Sequence, residues 1–308
     1  MHFNPEQTSF GRHETFPLRF GWLTKGFQAV EQNAAIFNDE NATVELGVGK
    51  NMVNAIHYWL QAARLITLKE KTWQPTALGT ALFSQNGWDP YLEDEATIWL
   101  IHWLLASNPQ IATAIFWFFN CFHKPEFTEG EVLTALKSFV KTQVKQSKAD
   151  NTLKIDVNMI LRMYTPKAHN KDMPSEDALD SPLSMLGLIQ SVFQKLYHCK
   201  PDERLGLPYS VLGFAITELF KHTPRQSGLP IQTLLHSDGY HVAPGAVFRL
   251  TETDLLAHCE QLVADYPGYY ALRETVGIHQ LYRIKELEEI EAIYFLQQHY
   301  QNTFFDKI

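Results

Sequence analysis

The stretch Leu46–Gly79 constrains this chain most tightly, because its structural period changes twice over a short distance. Gly47 and Gly49 open it, where a tight turn needs permissive backbone. Met52, Ile56, Trp59 and Ala63 then recur at helical spacing and form one apolar stripe. Thr67–Pro75 reads as a short hairpin, and Thr76 caps the helix that follows it. Upstream, Trp22, Leu23, Phe27, Val30, Ala34 and Phe37 mark a helix over 22–38, followed by a turn at Asn38–Thr43. Helix, turn, helix, hairpin, helix is the order of a winged helix-turn-helix module.

The outer face of the second helix carries Lys50, Asn51, Asn54, His57 and Gln61. In helix-turn-helix proteins the N-terminal half of that helix enters the major groove of DNA. Lys suits phosphate or guanine, and Asn or Gln suits an adenine edge. Lys69 and Lys71 on the hairpin would meet phosphates. The competing reading is an ordinary amphipathic helix with a solvated polar face. Gly47–Val48–Gly49–Lys50 is not a phosphate-binding loop. Val44 stands where that loop needs its first glycine, and Asn51 follows the lysine in place of Ser or Thr.

Composition narrows the function classes. The formal net charge is −8 over 308 residues, so the chain is no general nucleic-acid coat and any DNA contact must come from a local patch. Hydrophobic residues make up 45% and aromatics 13%, enough for a large folded core. Cys121, Cys199 and Cys259 are far apart, which argues for a reducing compartment and against a disulfide frame or zinc ribbon. No secretory pattern opens the chain, and the longest apolar run, 111–119, is too short to span a bilayer. The expectation is a cytoplasmic protein with no membrane partner.

Three domains are expected. Residues 1–90 form an arm and the winged module, 91–165 a helical core, and 180–308 an α+β domain. In the last, an apolar helix, a short helix, a strand (within 239–250) and a helix echo the winged order. The class is mainly α with small β-wings. Helices are expected over 93–108, 110–122, 128–145 and 153–164, the third opened by a capping box at Thr128 and Glu131, the fourth capped by Asn151 or Thr152. Residues 191–197 read as strand-like, and Pro-, Lys- and Asp-rich 165–182 as the boundary loop. A last helix covers 285–300.

No His-Glu-x-x-His, Gly-x-Ser-x-Gly, dinucleotide or kinase signature occurs, and no cofactor or metal is expected. Glu93, Asp94 and Glu95 suit a helix start and its dipole better than a metal. In the arm, Arg12, His13, Glu14 and Arg19 lie among aromatics. They suit a partner- or anion-binding surface, joined by Arg273, or an ordered arm with an Arg–Glu14 pair.

Phe10–Leu23, Leu46–Met52, Asp180–Leu183 with Leu186–Ile189, and Ala243–Leu250 together resemble the bacterial family of domain of unknown function 4007. The likeness spreads over nearly the whole chain. It departs at Ser181, where the family pattern has a cysteine. The resemblance implies a phage-defence setting, beside PAPS-reductase-like and cysteine-desulfurase-like proteins of DNA sulfur modification (phosphorothioation). Three readings follow. The first is a non-catalytic protein that binds double-stranded DNA or acts as an adaptor in defence. The second is a scaffold docking the sulfur-transfer partner. The third is an enzyme collecting Arg12, His13, Glu14 and Arg273 or Glu274 in one pocket.

Overall fold

A computed structural model of the chain describes residues 1–166, 181–193, 195–286 and 291–305. Its contacts divide the chain into two units. The larger holds Asn4–Trp117 and Lys124–Cys199, and the smaller holds Met1–Phe3, Phe118–His123 and Lys200–Ile308. Residues expected as two modules, 4–90 and 91–117 with 124–165, therefore share one unit, and 181–199 join them. Most of the boundary loop expected at 165–182 lies outside the described residues.

The larger unit opens with α1 (Trp22–Gln32), α2 (Ala42–Glu45), α3 (Lys50–Ala62), the antiparallel hairpin β1 (Ile66–Lys69) and β2 (Thr72–Pro75), and α4 (Ala77–Phe83). The apolar stripe of α3 faces inward through Val53, Ile56, Trp59 and Leu60. Leu23, Phe27 and Val30 of α1 are buried as well. Gly26 permits the close crossing of these helices: a Cβ there would stand 2.4 Å from Ile56 Cγ2 and 2.8 Å from Leu60 Cδ1. Thr76 fixes the hairpin to α4. Its hydroxyl accepts from Gly79 N at 3.0 Å and donates to the carbonyl of Arg64 at 2.9 Å.

Beyond a loop, α5 (Glu95–Ala106) is buried from Ala96 to Ala106, as its nearly unbroken apolar sequence demands. Asp89 organises that loop. Its carboxylate accepts from Glu93 N at 2.8 Å, Asp94 N at 3.1 Å and the Thr97 hydroxyl at 2.5 Å. Next, α6 (Thr113–Asn120) begins in this unit. The box at Thr128 opens α7 (Glu129–Gln143) with both reciprocal hydrogen bonds present. α8 (Asp150–Tyr164) starts at an Ala149 cap with no side-chain hydrogen bond, not at Asn151 or Thr152. Asp150 supplies the negative charge there instead, and Lys137 pairs with it at 2.6 Å. The strand-like 191–197 contains parts of two strands. β4 (Gln190–Ser191) and β5 (Leu196–His198) join β3 (Glu126–Thr128) in an antiparallel sheet of order β3-β5-β4.

The N-terminal arm threads into this core through one buried polar cluster. Asp156 on α8 accepts from His13 Nε2 at 2.8 Å and from Gly11 N at 3.0 and 3.1 Å. The His13 ring is 1% exposed and lies 6.1 Å from Tyr58 and 6.2 Å from Trp59, both on α3.

In the smaller unit the order is α9 (Tyr209–His222), β6 (Gly228–Pro230), α10 (Ile231–Leu235), α11 (Pro244–Phe248), α12 (Glu252–Asp265), β7 (Tyr270–Thr275), β8 (Ile278–Arg283) and α13 (Ala292–Phe305). The sheet order is β6-β8-β7, all antiparallel. The strand expected within 239–250 is the short helix α11. Pro244 sits in its first turn, where its fixed φ favours a helix, and Arg249 in the left-handed region ends it. The Arg249 guanidinium is buried and donates to the carbonyls of Phe118 at 2.9 Å and Phe122 at 2.8 Å. The last helix starts at Ala292, later than expected; residues 287–290 of the expected span lie outside the described residues. Among the described residues no helix is long and apolar enough to cross a membrane.

Replacing Asp156 by Ala strips acceptors from the buried His13 ring and the Gly11 amide. Urea unfolding should report a loss of about 3 kcal/mol, with Asp156→Asn losing less because one acceptor survives. A loss within ~0.5 kcal/mol, as at an ordinary surface site, would contradict the pairing.

Candidate nucleic-acid interface

The exposed edge of the first module consists of the N-terminal half of α3 and the β1–β2 turn. Gly47, with φ +59, turns the chain into the entry of α3, and Gly49 is its N-cap. No side chain caps this end, and its first turn holds no acid. The positive pole of the helix is therefore not neutralised by its own residues. Lys50, Asn51 and Asn54 are exposed there.

At the hairpin, Lys69 pairs with Thr72 across a two-residue turn made by Glu70 (φ +50) and Lys71 (φ +67). Such turns normally use Asn-Gly, because both central residues must enter the left-handed region. Glu and Lys adopt it here at a cost of roughly 1 kcal/mol or more each. The turn holds Lys69 and Lys71 exposed at its tip.

His57 and Gln61 turn out differently from Lys50, Asn51 and Asn54 on the same helix, being half-buried. The His57 ring stacks on Phe37 with centroids 4.2 Å apart and meets the edge of Trp73 on β2 at 4.6 Å. Its Nε2 is buried without a hydrogen-bond partner. Burial draws its pKa down to about 4. His57 therefore works as a neutral aromatic pin between the hairpin and the turn before α2. Gln61 donates from Nε2 to the carbonyl of His57 at 3.3 Å, inside the same helix. Helical periodicity placed both on the outer face. It cannot register that a hairpin folds back over the C-terminal half of that face.

The arm residues do not act as one surface cluster. Arg12 and Glu14 are exposed, and Arg19 is half-buried with its guanidinium 5.7 Å from the Phe16 ring and 5.3 Å from the Trp22 ring. His13 is committed to Asp156 in the core. Arg273 belongs to the smaller unit, where it is exposed and stands 5.0 Å from the Tyr282 ring. Its neighbour Glu274 lies 3.5 Å from His279. The acids Glu93–Glu95 serve their helix: Asp94 caps it, accepting from Ala96 N at 2.9 Å, and Glu95 accepts from Trp99 Nε1 at 3.1 Å. Among the described residues no three His, Cys, Asp or Glu side chains converge as a metal site. Burial pushes the thiols of Cys121 and Cys259 up to about 12, so neither is a thiolate nucleophile near neutral pH.

A family model described as "Protein of unknown function (DUF4007)" matches residues 10–300, and the chain belongs to that family. A search among curated proteins returns no match. Among solved structures, the chain is similar to SspB. Against a crystal structure of SspB bound to magnesium ion it is 30% identical with a TM-score of 0.84, covering 96% of this chain and 88% of that one. Against a second SspB crystal structure it is 29% identical with a TM-score of 0.85, covering 97% and 90%.

The pin gives a pH signature. The folded state holds His57 neutral below its ordinary pKa of 6.5, so its contribution to stability is complete above that value. It is lost as pH falls from about 6.5 towards 4. An NMR titration of the His57 ring should give a midpoint near 4, and His57→Phe should flatten the stability profile across that window. A midpoint near 6.5 would show the ring to be open to solvent.

Proposed function

From its membership of the DUF4007 family, we propose that this protein is a non-catalytic, DNA-binding component of a bacterial anti-phage defence system linked to DNA sulfur modification, acting in the cytoplasm. Residues 22–83 serve as a winged helix-turn-helix module. One observation carries the reading: Lys50, Asn51 and Asn54 stand exposed on an uncapped helix start, beside a two-lysine turn held in a costly conformation. A turn sequence chosen for stability alone would be Asn-Gly.

In this reading α3 enters the major groove by its N-terminal half. Asn51 and Asn54 address base edges, where a bidentate contact to adenine is worth about 1–3 kcal/mol of discrimination. Lys50, Lys69 and Lys71 neutralise phosphates, and His57 holds the hairpin at the angle this requires. Acids at Glu45 and Glu70 border the lysines and limit non-specific attraction. The defence setting and the sulfur-transfer partners come from the family resemblance. The magnesium ion belongs to the related SspB structure, and no step of this reading runs through it.

Fluorescence anisotropy with plain and phosphorothioate duplexes across a salt series tests the proposal. Binding should weaken with salt, and Lys50→Glu should weaken it further while lowering the salt slope by about one unit. Unchanged binding and slope would remove the site. A second variant separates function from fold: Glu70→Asn with Lys71→Gly should stabilise the protein by about 1 kcal/mol or more and yet weaken DNA binding. Stabilisation with undiminished binding would leave the turn without a role in DNA contact.

A further inference from the structure

We infer that the smaller unit holds a second winged module, and that its groove receives a basic amphipathic segment of a partner protein in place of nucleic acid. The inference stands independently of the DNA reading of the first module. Its topological basis is the order α9, β6, α10, α12, β7, β8, with the short α11 inserted between α10 and α12 and the last strand at the centre of the sheet. This places α12 where the first module has α3, and the β7–β8 turn where it has the lysine hairpin.

The chemistry of the two edges is opposite. α3 carries no Asp or Glu, whereas α12 carries Glu252, Asp254, Glu260 and Asp265 and no Lys or Arg. Asp254 is spent internally, accepting from Arg204 N at 3.0 Å. Glu252, Glu260 and Asp265 are exposed, and so is Glu274 on β7. A phosphate backbone meets repulsion on this face, while a cationic segment meets attraction.

A groove of about 500 Å³ lies between α10, the start of α12 and the β7–β8 turn, with walls that include Gln232, Glu252, Leu256, Ile278 and His279. Gln232 donates to Glu252 at 2.9 Å, setting one carboxylate at its edge. The turn beside it is apolar where the first module's is basic. Val276 is 96% exposed and Ile278 55% exposed. Val276 also sits at φ +52, a region that β-branched residues avoid. An occupant with Lys or Arg on one side and aliphatic residues on the other satisfies both halves of this edge. The cations would meet Glu252 and Glu260, and the aliphatic residues would cover Leu256, Val276 and Ile278.

The test uses the full chain and a fluorescein-labelled Lys/Leu peptide with its leucines on one helical face, followed by anisotropy. A peptide of the same composition with scattered leucines is the control. The patterned peptide should bind about tenfold more tightly than the scattered one, a difference of about 1.4 kcal/mol. Glu252→Lys with Glu260→Lys should abolish that binding. Val276→Asn with Ile278→Ser should weaken it about tenfold while leaving the fold intact, because Asn tolerates the left-handed turn. Equal binding of the two peptides, or no effect of the apolar pair, would reduce the face to a surface charge and overturn the inference. Competition between a DNA duplex and the peptide in the Lys50→Glu protein would overturn it as well.

Discussion

The buried carboxylate of Asp156 is the interaction on which the larger unit depends. It gathers His13 and the Gly11 amide from the arm onto α8, at hydrogen-bond distances of 2.8 to 3.1 Å. The same imidazole lies against Tyr58 and Trp59 on the inner side of α3. One polar cluster thus joins the arm, the helix carrying the candidate DNA face and a helix far along the chain. A group of this kind adds little net stability when complete and costs several kcal/mol when broken. Its effect is to specify one arrangement. The neighbouring Tyr58 hydroxyl, pushed far up by burial and by Asp156, stays protonated and donates to the carbonyl of Ile111 at 3.3 Å.

On the outer side of α3 a second layer of control operates. His57 loses its charge to burial and fills the space between Phe37 and Trp73. What remains for solvent is the uncapped helix start and the lysine turn. The β1–β2 turn places Glu70 and Lys71 at positive φ, and the β7–β8 turn does the same with Val276 and Gly277. The first displays lysines and the second a bare valine.

Features set by nearest neighbours were legible in the sequence. The Thr128 capping box, the Thr76 cap and the hairpin before it depend on residues a few positions apart, and all are present. The exposure of Lys50, Asn51 and Asn54 followed from helical period alone. Long-range partners were not legible. Nothing near His13 announces Asp156, and nothing near His57 announces that Trp73 will fold over it. Asp89 carries no local signal, because its three hydrogen bonds exist only once the loop before α5 has closed. The sequence of 239–250 suits a strand as well as the Pro244–Phe248 helix, because a run of small and apolar residues fits either state, and the deciding contact, Arg249 with Phe118 and Phe122, lies far off in sequence.

The central claim, that duplex DNA lies across the start of α3, is tested most directly by photo-crosslinking. A benzoylphenylalanine would replace Asn54 on α3 in one protein and the exposed Gln261 on α12 in another. Irradiation with a labelled duplex should yield a salt-sensitive crosslink from position 54 and none from position 261. Crosslinking from 261, or from neither position while the duplex is bound, would contradict the assignment of the DNA face to the first module.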